Sequence, residues 1–130
     1  MNTDEPTSLE GTKLANFTPI SSVSELQIID MVEGAGEEVQ RDATITAHYT
    51  GALCNDGTIF QSSHDVGRPA TFGLNQVIAG WTNGVPGMKV GGTRRLVIPS
   101  ARAYGSARVA ANIPPNSDLV FDIELISIDS

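Results

Sequence analysis

Apolar and polar residues alternate over several short stretches of this chain, and those stretches predict strands. Leu26-Gln27-Ile28-Ile29-Asp30-Met31-Val32 reads as the first and stops at the turn signal Glu33-Gly34-Ala35-Gly36. In Thr44-Ile45-Thr46-Ala47-His48-Tyr49-Thr50 the alternation is clean, so Ile45, Ala47 and Tyr49 share one face and His48 joins the threonines on the other. Asn55-Asp56-Gly57 is a hairpin turn that joins a strand ending near Leu53 to one starting near Thr58. Ala70-Thr71-Phe72-Gly73-Leu74 is a further short strand. Leu96-Val97-Ile98 opens another after Gly91-Gly92 and ends at Pro99. In the last strand Leu119, Phe121, Ile123 and Leu125 alternate with Val120, Asp122 and Glu124. The phase then slips to Ile126 and Ile128, which predicts a bulge or a change of buried face.

The period changes once. From Gln76 to about Gly84 the apolar residues Val77, Ile78 and Trp81 fall at i, i+1 and i+4, which fits one short helix with a single buried stripe. Gly84 and Pro86-Gly87 close it. Five or six short strands and one short helix define an α+β domain, an antiparallel sheet with the helix over one face. Residues 1–22 are rich in Thr, Ser, Asn, Asp and Glu and show no sustained period. They are expected to form a mobile or loosely docked leader, ahead of a domain over 23–130.

Charge sharpens that division. The net charge of −7 sits in residues 1–40, where eight acids face only Lys13; residues 41–130 balance seven acids with seven bases. Without a basic stripe, nucleic acid is not an expected partner. No apolar run approaches the ~20 residues of a membrane span. The acidic N-terminus lacks the pattern of a signal peptide, and one cysteine, Cys54, suits a reducing compartment, so a cytoplasmic location is expected. A neutral single domain without a coiled-coil signal is expected to be a monomer.

The chemical inventory excludes more than it offers. His48 and His64 have no partners at metal-ligand spacing, Cys54 stands alone, and no phosphate-loop fingerprint is present, so no metal or cofactor is expected. Ser62-Ser63-His64-Asp65 superficially resembles a triad, but adjacent residues cannot fold onto one another in that geometry, and it reads as a polar loop. Arg94 and Arg95 point to opposite faces of their strand. What remains is a set of apolar and aromatic residues: Tyr49, Phe60, Val77, Ile78, Trp81, Tyr104, Ile113 and Phe121. Such a set can grip an apolar ring and change the environment of one amide bond, but it cannot do covalent chemistry. By composition alone, Trp81, Tyr49 and Phe121 are equally well explained as core. Tyr104, in a Gly-bounded loop, is harder to explain as packing.

The motifs decide between these readings. Ala47-His48-Tyr49-Thr50-Gly51, Asp56-Gly57-Thr58-Ile59-Phe60-Gln61-Ser62-Ser63, Val77-Ile78-Ala79-Gly80-Trp81, Ala103-Tyr104-Gly105, Ile113-Pro114-Pro115-Asn116 and Leu119-Val120-Phe121-Asp122-Ile123-Glu124-Leu125 follow in order. Together they resemble the FKBP family of peptidyl-prolyl isomerases from about Leu26 to Ile128. The resemblance implies a twisted antiparallel sheet of five to six strands wrapped around one short helix. It implies isomerisation of Xaa-Pro bonds in unfolded or flexible chains, or, as the alternative, a proline-loop binding module with weak or no turnover. Carried over by motif, Trp81 is the floor under the proline ring. Tyr49, Phe60, Val77, Ile78, Ile113 and Phe121 are its walls, and the Ile78 N–H and Tyr104 hydroxyl are the donors to substrate carbonyls. Tacrolimus- and rapamycin-type macrolides are the implied ligands of the same pocket. Two positions depart from the family pattern. Gln61 stands where Asp is usual, which removes a charge and is expected to weaken macrolide binding more than turnover. Ala70 stands where an aromatic is common, which is expected to leave one wall of the bowl shallower.

Overall fold

The structure, a computed structural model, describes residues 8–107 and 112–129. Six strands form one antiparallel sheet: β1 (Gln27–Val32), β2 (Thr44–Leu53), β3 (Ile59–Ser62), β4 (Ala70–Gly73), β5 (Thr93–Ile98) and β6 (Leu119–Ile128). Their order is β1-β5-β6-β2-β3, and β4 pairs with the first half of β2 while β3 pairs with the second. The alternation in the sequence is thus realised as an antiparallel α+β sheet with one short helix, and the Asn55-Asp56-Gly57 turn joins β2 to β3. Among the described residues no helix is long and apolar enough to cross a membrane.

The helix α1 (Ala79–Gly84) is shorter than the periodicity predicts. Ile78 is extended at φ −61°, ψ 152°, and its carbonyl accepts from the Trp81 and Thr82 N–H groups, so Val77 and Ile78 lie in the approach to the helix. The cause is local. The Gln76 N–H bonds back to Gly73 O, and Thr82 Oγ1 donates to Leu74 O at 2.6 Å, so this turn occupies the residues expected to be the first helical turn. Close packing against β5 needs glycine at position 80, where a Cβ would stand 2.6 Å from Ile98 Cδ1.

The slip at the end of β6 is a bulge. Ser127 pairs with Thr46 and Leu125 with Ala47, leaving Ile126 unpaired and about half-exposed while Ile128 turns back toward the core.

Both faces of the sheet are apolar at its centre. On the helix side, Ile45, Leu74, Trp81, Val85, Leu96, Ile98, Ile123 and Leu125 belong to the main core. On the other, Val120, Val97, Ala52, Cys54 and Ile59 pack with Leu14 and Val23, and with Phe17 and Ile20 at the margin. Val120, grouped with the polar positions by simple alternation, is fully buried for this reason.

Residues 8–23 cover that second face as a strap. Arg95 holds them from beneath: its guanidinium pairs with Asp122 at 2.6 Å, donates to the Asn16 and Ala15 carbonyls at 2.7 and 3.0 Å, and lies 5.6 Å from the Phe17 ring. Arg94, on the opposite face, pairs with Asp30 and donates to Gly84 O and Pro86 O at the end of α1.

Candidate active site

Three elements bring one aromatic residue each to a common cavity: Tyr49 from β2, Trp81 from α1 and Phe121 from β6. Tyr49 and Phe121 stand edge-on or tilted to the indole and to each other, with centroids 5.4–6.4 Å apart. Edge contacts at this range suit aromatic quadrupoles and contribute about 0.5–1.5 kcal/mol a pair beyond burial. The cavity measures about 410 Å³ and is lined by Tyr49, Gln61, Phe72, Gln76, Val77, Ile78, Trp81, Tyr104 and Phe121. That volume lies within the range of small-ligand pockets, roughly 300–1,000 Å³. None of these lining residues carries a formal charge at neutral pH. Burial pushes the Tyr49 phenol above its ordinary value, with Tyr104 adding to the shift, so it stays protonated.

Of the residues predicted for the site, Tyr49, Gln61, Val77, Ile78, Trp81, Tyr104 and Phe121 line the cavity; Phe60 and Ile113 are not among its lining residues. Phe60 packs edge-on against Phe121 at 5.7 Å and 87° and is nearly buried, as is Ile113. Phe60 thus backs the Phe121 ring, and Ile113 belongs to the same buried core. Gly51 makes this layering possible, because a Cβ there would stand 2.6 Å from Phe121 and 2.7 Å from Phe60.

Ala70 is not among the lining residues. Two residues on, along the same face of β4, Phe72 lines the cavity. It stands edge-on to Trp81 at 4.8 Å and to Tyr49 at 5.5 Å. Phe72 and Gln76 are the site residues that motif matching missed. The strand alternation, which puts Ala70 and Phe72 on one face, was the signal for Phe72.

Polar groups hold the site from outside. Ser63 Oγ accepts from the Tyr49 N–H at 2.7 Å, which fixes the strand at that residue. Tyr104 follows the 3-10 turn Ser100–Arg102, whose Ser100 N–H donates to Asp118 Oδ1 at 2.9 Å. The Gly105 N–H then bonds to Ser100 O, and the Asn116 N–H to Gly105 O at 2.7 Å, closing the loop around the tyrosine.

Within the cavity, donors are left over. Among the described residues neither the Ile78 N–H nor the Tyr104 hydroxyl has a hydrogen-bond partner, and the Trp81 Nε1–H is buried without one. A buried unpaired donor such as the Trp81 Nε1–H costs about 1–3 kcal/mol, whereas the part-exposed Ile78 and Tyr104 donors are open to a ligand. Outside the cavity, His48 and His64 stack at 4.0 Å, with His48 on Ser63 and His64 on Glu124 at 2.9 Å. Cys54 is fully buried, and burial pushes its thiol up to about 12, which leaves it unreactive.

A sheet around one short helix, with a neutral aromatic cavity at their junction, describes a prolyl isomerase of the FKBP kind. The family model for FKBP-type peptidyl-prolyl cis-trans isomerase matches residues 35–126, and this chain belongs to that family. It is 50% identical over 88 residues to the peptidyl-prolyl cis-trans isomerase FPR2 of Saccharomyces cerevisiae, a match covering 66% of this chain and 65% of that one. It is 47% identical over 105 residues to an FK506-binding protein of Neisseria meningitidis serogroup A, covering 79% of this chain and 95% of that one. The crystal structure of FkpA from Escherichia coli superposes with a TM-score of 0.74 at 43% identity, over 80% of this chain and 48% of FkpA. The chain thus spans about half of FkpA, about two thirds of the yeast relative and nearly all of the neisserial one.

Proposed function

We propose that this chain catalyses cis/trans isomerisation of Xaa-Pro bonds in unfolded or flexible polypeptides, with the proline ring seated on Trp81. The observation that carries this reading is the uncharged cavity of about 410 Å³ walled by Tyr49, Phe72, Val77, Ile78 and Phe121, with donors at Ile78 and Tyr104 that have no partner among the described residues. The residues that line it include no charged nucleophile and no metal-ligating cluster, and this reaction needs neither. The imide bond rotates over a barrier of ~18–20 kcal/mol because resonance holds it planar. Twisting removes that resonance and its charge separation, so an apolar, water-poor cavity favours the twisted form over the planar one. The Ile78 N–H and Tyr104 hydroxyl, directed at substrate carbonyls, add binding that is strongest when the carbonyl has left the plane. An acceleration of ~10⁴-fold needs about 5.5 kcal/mol of such preference.

Macrolides of the tacrolimus type fit the same reading, held less tightly because Gln61 offers an acceptor oxygen without charge. A cytoplasmic, monomeric protein belongs to it as well, supported by the single cysteine and the neutral body of the domain.

The test is exchange NMR on a short Xaa-Pro peptide with catalytic amounts of protein. Accelerated exchange that excess tacrolimus abolishes is the expected result. Tyr104→Phe retains most of it, losing about tenfold or less, since one neutral hydrogen bond contributes ~0.5–1.5 kcal/mol. No acceleration by a folded sample would replace this reading with stoichiometric binding of proline-containing loops.

A further inference from the structure

The wall behind Phe121 is built on a break in the sheet. β3 pairs Gln61 with Gly51 and Ile59 with Ala52, so Phe60 is the extra residue of a bulge. A bulge interrupts the ladder and re-aims one side chain, which here sends the Phe60 ring against Phe121. It also leaves the Phe60 carbonyl in need of a partner, and that partner comes from the far side of the site. Asn112 Nδ2 donates to Phe60 O at 2.9 Å and to Glu10 Oε2 at 3.2 Å. Asn112 immediately precedes Ile113, whose buried side chain belongs to the same core as Phe60 and Phe121. One carboxamide therefore ties together two segments that back the cavity, the β3 bulge and the loop carrying Ile113.

Glu10 is itself held in place. The Asp65 carboxylate accepts from the Leu9 N–H at 2.6 Å and from the Glu10 N–H at 3.1 Å. Just beyond, the strap pairs with β3: Gly11 N–H donates to Ile59 O and Ile59 N–H to Thr12 O, each at 2.8 Å. The acidic segment ahead of the domain thus reaches Asn112, behind the cavity, through the Glu10 side chain.

We propose that Asn112 is a positioning residue for the isomerase site: by holding the Phe60 bulge carbonyl it fixes the Phe60 ring behind Phe121, and so the wall that grips the proline ring, with Glu10 of the strap orienting its amide. The proposal rests on the isomerase reading. Asn112 does not line the cavity, so its effect falls on substrate grip rather than on the rotation step.

The test compares Asn112→Ala and Asn112→Asp with the full wild-type chain in steady-state isomerisation of one Xaa-Pro peptide. Asp keeps the shape of Asn but has no donor at neutral pH. Both variants are expected to raise KM three- to tenfold and leave kcat within twofold. Glu10→Ala raises KM by about two- to threefold, and Glu10→Gln, which keeps an acceptor oxygen, reverses that rise. An Asn112→Asp variant with the wild-type KM, or one that loses kcat at constant KM, would overturn the proposal.

A second readout separates this proposal from the reading it rests on. The aromatic NMR shifts of Phe60 and Phe121 are expected to move in Asn112→Asp whether or not the chain turns over substrate. Unmoved rings sink the positioning role; an inactive wild type with moved rings sinks only the isomerase reading.

Discussion

Phe72 stands nearer the Trp81 indole than any other ring in the site, at 4.8 Å against 5.4 Å for Phe121 and 5.7 Å for Tyr49. Removing it deletes two edge contacts of about 0.5–1.5 kcal/mol each and opens one side of the cavity to water. Phe72→Ala is therefore expected to lower kcat/KM about ten- to a hundredfold in the peptide exchange assay, with the fold intact by circular dichroism. A variant within twofold of wild type would remove Phe72 from the site. Motifs made Trp81, Tyr49 and Tyr104 legible in the sequence because each sits in a distinctive string. Phe72 was legible only as one member of an alternating strand, a pattern that gives a face without saying what the face meets. Phe60 and Ile113 went the other way. Their strings placed them in the wall, and the strings do not reveal that Phe60 packs edge-on behind Phe121 beside Gly51, or that Ile113 is buried in the same core.

At the scale of elements, strands were easier to read than the connections that aim them. A period of two survives in β2 and β6 because one face of each is buried almost without interruption. The helix was misplaced by three residues at its start, because a turn bonded through Gly73 and Leu74 carries the same apolar spacing as a helical turn. The strap shows the same limit, since its anchors lie far away in sequence. Asp65, read as part of a polar loop, clamps the Leu9 and Glu10 amides. The Leu9 N–H first, then the Glu10 N–H and the Ser8 hydroxyl, hold the Asp65 carboxyl below the usual carboxylate range. A depressed value means this anchor is complete above the unfolded pKa and is lost as pH falls through the folded one. The Leu9 amide shift is therefore expected to titrate with a midpoint below 3.8, the ordinary aspartate value. In Asp65→Asn that titration vanishes and hydrogen exchange at the Gly11 and Ile59 amides quickens. A Leu9 midpoint at or above 3.8 would show that the carboxylate does not hold the strap.

For the whole molecule, the consequence of the strap is a sheet with a core on each side, one facing α1 and the cavity and the other closed by Leu14 and Val23. Composition gave no warning of the second core, because its apolar residues are scattered singly through a polar segment and only long-range pairing gathers them. The two cores place titratable groups differently, and that difference is measurable. Cys54 is fully buried in the strap-side core, away from the cavity. An unfolded thiol titrates near 9, whereas burial first and the nearby Asp118 charge second push this one up to about 12. Between those values the unfolded chain binds fewer protons than the folded one, so stability falls as pH rises, by at most about 1.4 kcal/mol per pH unit from a single group. Tyr49, raised by its own burial, adds a loss of the same sign that begins above pH 10 and belongs to the cavity side. Urea midpoints of wild type and Cys54→Ala across pH 8 to 11 separate the two contributions. Cys54→Ala starts lower because of the cavity it leaves, but its profile is expected to be flatter from pH 9 upward, with the remaining decline set in part by Tyr49. Parallel profiles would mean that the strap opens enough to solvate the thiol. The strap would then be a loose cover, and its hold on Asn112 through Glu10 would weaken with it.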